Sequence, residues 1–209
     1  MAVRRRLEAL ADRAHDPLPR HLVPGAWRAS AVLILLWDDG DDARFALIRR
    51  SHRLRTQPGM LALPGGVCDP GEDPLAAALR ETEEELGIPR ATLTVLGRLD
   101  DHWTIAGFLV ETFVAWHDGP PALSPAVDEV AEVLAIPVDD LLDPANHDTY
   151  RVRIGDPEVL YEDDILLLGD DRLAGMTADI LVDLREWLRG VDRRRRAPRT
   201  AALRAYVGP

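Results

Sequence analysis

The chain has 209 residues, 46% apolar and 29% charged, which sets an expectation of one soluble globular domain with short extensions. Its 25 cationic and 36 anionic side chains leave a net charge of −11, a field that opposes any sequence-independent coat on DNA or RNA and excludes nucleic acid as a bulk partner. The longest unbroken apolar run, residues 31–37, has seven positions where a membrane-spanning helix needs about 20, so no membrane partner is expected.

Residues 1–14 have the pattern of a short amphipathic helix, in which Glu8 and Asp12 interrupt any apolar core of signal-peptide length, so secretion is not expected. His15-Asp-Pro-Leu-Pro-Arg20 and Pro24-Gly25 are rich in breakers, which makes residues 1–26 an N-terminal helix and linker and starts the folded body at residue 27. Residues 31–37 and 44–50 are β-rich runs joined by Asp38-Asp-Gly-Asp-Asp42, where Asp-Gly is a hairpin cue. Cys68 is the single cysteine, which rules out an internal disulfide and suits a reducing, cytoplasmic setting.

Residues 74–86 carry the clearest helix pattern: Asp73 as N-cap, Pro74 in the first turn, Gly87 at the stop, and an apolar stripe of Leu75, Ala78, Leu79, Thr82 and Leu86. Strands are expected at 93–99 and 107–116, an extended segment at 129–135, a short helix from Pro137 to Leu142, a hairpin from 149–154 and 158–168, and a closing amphipathic helix at 174–188. The body therefore covers residues 27–190, followed by a tail at 191–209 whose Arg193, Arg194, Arg195 and Arg196 suit a solvated end better than a nucleic-acid arm. No internal repeat is visible, and strands on both sides of one capped helix predict an α+β fold, an α/β/α sandwich with a mixed sheet.

On the capped helix Glu81, Glu84 and Glu85 stand at i, i+3 and i+4, so three carboxylates share one face, with Glu83 close by. Like charges at that spacing destabilise a helix, and its C-terminal half is the unfavourable end of the dipole for acids. Hard divalent cations such as Mg²⁺ or Mn²⁺ take oxygen ligands and turn the repulsion into binding. A solvated acidic face is the plainer reading of such a helix taken alone. Just upstream, Leu63-Pro-Gly-Gly-Val-Cys-Asp-Pro-Gly-Glu72 is a glycine-rich loop that lets backbone approach a ligand closely.

Gly66, five residues, Glu72, seven residues, Arg80-Glu81, then Glu84-Glu85, Gly87 and Ile88 reproduce the box of the Nudix family, with Thr82 where the pattern has a bulky aliphatic residue. The resemblance implies a Nudix-type α/β/α sandwich and hydrolysis of a nucleoside diphosphate linked to another group. It further implies that Glu81, Glu84, Glu85 and the Gly65 carbonyl hold the metal, that Arg80 and Glu72 support them, and that water attacks one phosphorus in line. Either Glu81 or a carboxylate outside the box then acts as general base. Glu129 is the preferred outside group, because Glu132 would face the other side of a strand.

Upstream of the box, Arg49, Arg50, His52, Arg53 and Arg55 form a local cationic segment suited to a substrate with several phosphates. Surface pairing with nearby acids is the plainer alternative. Arg50-Ser51, Arg55, Gly59 and Pro64-Gly65-Gly66 match in register a motif of the coenzyme A pyrophosphatases within that family, with Ala46, Ile48 and Leu63 departing from it. The resemblance spans about residues 28–188. It implies a substrate of the coenzyme A class bound through Arg50, Ser51, Arg55, Gly59 and Gly66, with 3′,5′-ADP and 4′-phosphopantetheine as products. Two rivals remain: hydrolysis of another dinucleotide such as ADP-ribose or NADH, and a non-catalytic nucleotide sensor that keeps the fold. The oligomeric state is left open, and a homodimer is compatible with the sequence.

Overall fold

A computed structural model of the chain describes residues 2–13, 27–40, 42–104, 106–154 and 159–191, with backbone alone for 152–154 and 159–163. The breaker-rich connection at 14–26 and the run Arg193 to Arg196 lie outside the described residues.

Strand β1 (Arg28–Asp38) is the axis of the fold. It runs antiparallel to β2 (Ala43–Arg50) across the Asp-Gly turn, with Leu36 opposite Phe45 and Trp37 opposite Arg44, as the hairpin cue requires. Farther back, β1 pairs with β4 (Gly65–Val67), placing Val32 opposite Gly65 and Ala31 opposite Gly66. Its other edge pairs in parallel with β7 (Phe108–His117) along its whole length, which makes the sheet mixed. Strands β3 (Leu61–Ala62), β5 (Leu93–Arg98), β6 (His102–Trp103) and β8 (Val130–Pro137) complete eight strands, ordered β3-β2-β1-β7-β5 with β4 beside β1, β6 beside β7 and β8 beside β2.

Strand parity divides the apolar residues between two cores. Ala31, Leu33, Leu35 and Trp37 point to one face and pack with Ala77, Ala78 and Leu86 of α2 (Pro74–Leu86). Val32, Ile34 and Leu36 point to the other, where they meet α1 (Ala2–Glu8), α4 (Met176–Leu188) and a second, three-stranded sheet. That sheet consists of β9 (His147–Ile154), β10 (Val159–Leu168) and β11 (Asp171–Ala174), and α3 (Val138–Leu142) precedes it. The result is the expected sandwich, helix α2 on one side of a mixed sheet and helices on the other.

Several boundaries move. The closing helix starts at Met176, because Ala174 is taken by β11, opposite Ile165 of β10. The stripe on α2 turns slightly from the one expected: Ala77 and Glu85 are buried, while Leu75 and Leu79 are only partly so. Asp73 occupies the N-cap position in extended conformation but makes no side-chain cap hydrogen bond. Thr82, the aliphatic position filled by a hydroxyl residue, is fully buried and bonds its Oγ1 back to the Ala78 carbonyl at 2.7 Å, so the helix itself satisfies the polar atom.

The N-terminal helix is part of this core. Leu7 and Leu10 are 0% and 2% exposed, and just beyond them Arg13 forks onto Asp100 with two bonds of 3.0 Å while its guanidinium lies over the Trp187 ring. We therefore expect Leu10→Ala to lower the unfolding free energy by about 2–5 kcal/mol, the cost of a core cavity. A denaturant titration measures it, and an unchanged midpoint would place the helix outside the cooperative unit.

Candidate active site

Helix α2 delivers three acids, Glu81, Glu84 and Glu85, and one arginine beside the short strand β4, while Glu83 turns to Arg90 on the surface. Arg80 is the hub. Its Nε and Nη2 reach the two carboxylate oxygens of Glu72 at 2.9 Å each, while Nη1 meets Glu81 at 3.0 Å and Glu84 at 3.1 Å. Glu72 also accepts the Asp69 N–H at 2.9 Å. The Arg80 bonds first, and that backbone bond second, pull the Glu72 carboxyl down to about 2. Glu72 and Arg80 thus form a clamp that closes the loop onto the helix.

Glu85 takes the opposite direction from the surface. Its side chain is 3% exposed and accepts the Gly65 N–H at 2.9 Å. Burial pushes its carboxyl up to about 8; the Gly65 bond and the Arg50 cation oppose the rise, and Glu81 and Glu129 add to it. Glu81 is raised as well, chiefly by desolvation, against its bonds to Arg80. Gly66 explains how a loop can lie so close: a Cβ there would stand 2.5 Å from the Glu81 carboxyl carbon.

The structure brings Glu72, Arg80, Glu81, Glu84 and Glu85 together with the loop of Gly65 and Gly66, but it does not converge them. Glu81 and Glu84 turn onto Arg80 and Glu85 onto the Gly65 N–H. Among the described residues no three Asp, Glu, His or Cys side chains form a ready-made metal cage. The donor chemistry nonetheless suits a hard divalent cation, since two desolvated, mutually repelling carboxyls and a half-exposed third offer only oxygen. Cys68 is half-buried with its thiol pushed up by burial and by nearby Glu72, the opposite of an activated nucleophile.

The outside carboxylates separate. A bulge in the β2–β8 pairing sets Arg49 opposite Glu132 and Arg50 opposite Val130, leaving Ala131 as the extra residue. Glu132 bonds Arg49 at 3.0 Å in the layer of the second sheet, where Arg49 also forks onto Asp171. Val130 is turned to the α2 side. Glu129, just ahead of it, acts on both Glu81 and Glu85 by charge.

The basic loop is fastened to that edge. Ser51 N–H donates to the Glu129 carbonyl at 2.7 Å, and the buried Ser51 hydroxyl accepts the Arg53 N–H at 3.3 Å. Gly59 also answers a need of the loop, since its φ is 72° and a Cβ would stand 2.5 Å from the His52 ring. Arg50 lies on the Glu85 side, and Arg55 is exposed. The charge pattern announced neither the bulge nor the Gly59–His52 packing, because both depend on which strand lies beside β2.

The family model for the NUDIX domain matches residues 27–154. The peroxisomal coenzyme A diphosphatase ndx-8 of Caenorhabditis elegans is 34% identical over 127 residues, 59% of this chain and 54% of that protein. The uncharacterized Nudix hydrolase NudL of Photorhabdus laumondii is 43% identical over 101 residues, 46% of this chain and 52% of that one. The chain therefore spans about half the length of these relatives. A MutT/nudix family protein from Enterococcus faecalis, 21% identical, superposes with a TM-score of 0.51 over 92% of this chain and 71% of its own, a likeness of fold.

The buried Glu85 carboxyl makes stability depend on pH. Its folded value, about 8, lies above the ordinary 4.5, so between those values the folded state keeps a proton that the unfolded chain releases, and stability falls as pH rises through that window. With a chelator present, the melting temperature of the wild-type protein minus that of Glu85→Gln should decline from about pH 5 to pH 8. A difference that stays level or climbs would contradict the burial of that charge.

Proposed function

Because the chain belongs to the Nudix family, we propose that it hydrolyses the pyrophosphate bond of coenzyme A or its thioesters, giving 3′,5′-ADP and 4′-phosphopantetheine or its acyl form. The observation that carries this reading is the fastening of the Arg50-Ser51, Arg55 and Gly59 loop to the carboxylate site: Ser51 N–H bonds the Glu129 carbonyl, and the Arg50 charge bears on Glu85. The relative named a coenzyme A diphosphatase supports the same class of substrate.

Glu81, Glu84, Glu85 and the backbone of Gly65 would hold a divalent cation, Mg²⁺ or Mn²⁺, which when bound neutralises the diphosphate and acidifies water. The protein's own part is to position and screen. Arg80, held by Glu72, keeps Glu81 and Glu84 from swinging apart. Gly66 lies against Glu81, and the Arg50–Gly59 loop is tied to Glu129 through the Ser51 N–H. Water oxygen bonds to one phosphorus, the bond from that phosphorus to the bridging oxygen breaks, and the proton of the water passes to a carboxylate. Glu129 suits that role, because its charge reaches Glu81 and Glu85 and it borders the basic loop; Glu81 is the second choice. The free Cys68 supports a reducing, cytoplasmic setting, whereas the worm relative is named a peroxisomal enzyme.

A panel of coenzyme A, acyl-coenzyme A, ADP-ribose and NADH, each with Mg²⁺ and with Mn²⁺ and with products separated by chromatography, tests the reading. Coenzyme A or a thioester should give the highest kcat/KM. Preference for ADP-ribose or NADH would leave the family and remove the substrate, and no turnover on any of the four would favour a nucleotide sensor.

Site variants test the chemistry. Glu84→Gln should remove most turnover while the melting temperature without cation holds level or rises, because a repelling charge is lost. Glu129→Gln should lower kcat by roughly 10²–10⁴-fold if it takes the proton. Near wild-type kcat for both variants at saturating cation would sink these assignments.

A further inference from the structure

Glu129 is exposed, and among the described residues its carboxylate makes no hydrogen bond or ion pair. Its backbone, by contrast, is held on both sides. The Glu129 N–H donates to the Ala126 carbonyl at 2.9 Å, and its own carbonyl accepts the Ser51 N–H at 2.7 Å. Where the carboxylate stands therefore depends on where the turn from Ser124 to Glu129 is seated.

The seat is the end of α2. A helix leaves its last carbonyls without partners inside the helix, and groups from elsewhere must meet them. Here the Ser124 N–H donates to the Leu86 carbonyl at 2.8 Å, and the Ala126 N–H donates to the Glu85 carbonyl at 3.1 Å. A backbone chain thus links Glu85 to Ala126, Ala126 to Glu129 and Glu129 to Ser51, and the Val130 N–H adds a second bond to the Ala126 carbonyl at 2.8 Å. It joins the carboxylate helix, the turn before β8 and the basic loop. Gly87 serves this seat twice. Its φ of 72° is left-handed and returns its N–H to the Glu83 carbonyl at 2.9 Å, while a Cβ there would stand 2.7 Å from the Ser124 carbonyl oxygen. Gly169, in the turn between β10 and β11, has a φ of 62° yet a Cβ there would meet nothing within 4 Å.

We infer that residues 124–129 form a strap that positions Glu129 for proton transfer by seating on the C-terminal carbonyls of α2, and that Gly87 is the positioning residue that admits it. The inference rests on the reading of Glu129 as the group that takes the proton; the seating of the strap is independent of that reading. Glu85 offers its side chain to the site and its carbonyl to Ala126, so one residue sets the placement of both acids. Gly87 acts only through the strap.

The test measures amide hydrogen exchange and steady-state kinetics for Gly87→Ala, Ala126→Pro and Gly169→Ala, each also combined with Glu129→Gln, on whichever of coenzyme A, ADP-ribose and NADH the unmutated protein cleaves best. Gly87→Ala should speed exchange at Ser124, Ala126, Glu129 and Ser51 about tenfold or more while the β1 amides hold level. Its kcat should fall about ten- to a hundredfold with a smaller change in KM, because a reacting group displaced by about 1 Å loses that much. Ala126→Pro removes the donor to Glu85 without altering α2. It should give the same pattern at Glu129 and Ser51, and it covers a Gly87 variant that fails to fold. Gly169→Ala introduces the same kind of backbone strain and should match the unmutated protein in both measurements. In the Glu129→Gln background neither strap variant should lower kcat by more than about a further twofold. Unchanged exchange at Glu129 and Ser51, or a loss of kcat as large with Glu129→Gln as without it, overturns the strap. If Glu129→Gln alone keeps wild-type kcat, the proton assignment fails by itself, and exchange at Glu129 and Ser51 still decides whether the strap is seated through Gly87.

Discussion

The constraint on which the site depends is the burial of an acid at the wrong end of a helix. Glu85 sits in the last turn of α2, where the helix dipole disfavours a negative charge, with Glu81 one turn back and Glu129 across the loop. A single backbone N–H, from Gly65, and the Arg50 charge act in its favour. These are too little to balance the burial, and the carboxyl stays well above its ordinary range. The rest of the helix works to hold this arrangement: Ala77, Ala78 and Leu86 anchor it to β1, and Thr82 keeps its hydroxyl within the helix. Perturbations of this kind cluster at functional sites, where a bound cation offsets the repulsion between the acids.

Sheet parity carries the same constraint outward. Because β1 faces α2 with Ala31, Leu33 and Leu35, the paired strand β4 brings Gly65 and Gly66 under the carboxylates. Because β2 alternates in step with β1, adjacent arginines go to opposite layers, Arg49 to a structural network and Arg50 to the site. Strand β8 then breaks the alternation with one extra residue. Without that bulge Val130 would share a face with Glu132; with it, Val130 and the turn that carries Glu129 close over the α2 side.

Much of this was legible in the sequence. The bounds of α2 follow from Pro74 and Gly87, the β1–β2 hairpin from Asp-Gly, and the acids of one face from helical spacing, all of them local rules. What was not legible is relational. The short strands β3, β4, β6 and β11 have two to four residues, too few for a period to show, and exist because a neighbour offers an open edge. The reason for glycine at position 59 lies in where His52 sits in space. The N-terminal helix looked like an appendage, since nothing in residues 1–14 announces that Leu10 will pack at Gly97 of β5.

Arg80 shows why the helix spacing alone misleads about the geometry of the site. Three carboxylates on one face suggest a preformed cage, yet the residue before Glu81 draws two of the three onto one of its own nitrogens, while Glu72 holds the guanidinium by the other two. The clamp stabilises the acids in the absence of any other cation and fixes the loop from Asp69 to Glu72 against the helix. It leaves Glu85 outside the pairing. A ligand that binds all three acids must therefore compete with Arg80 at Glu81 and Glu84 but meets no such competitor at Glu85. The bidentate bond to Glu72 keeps the arginine in place when those two contacts are given up.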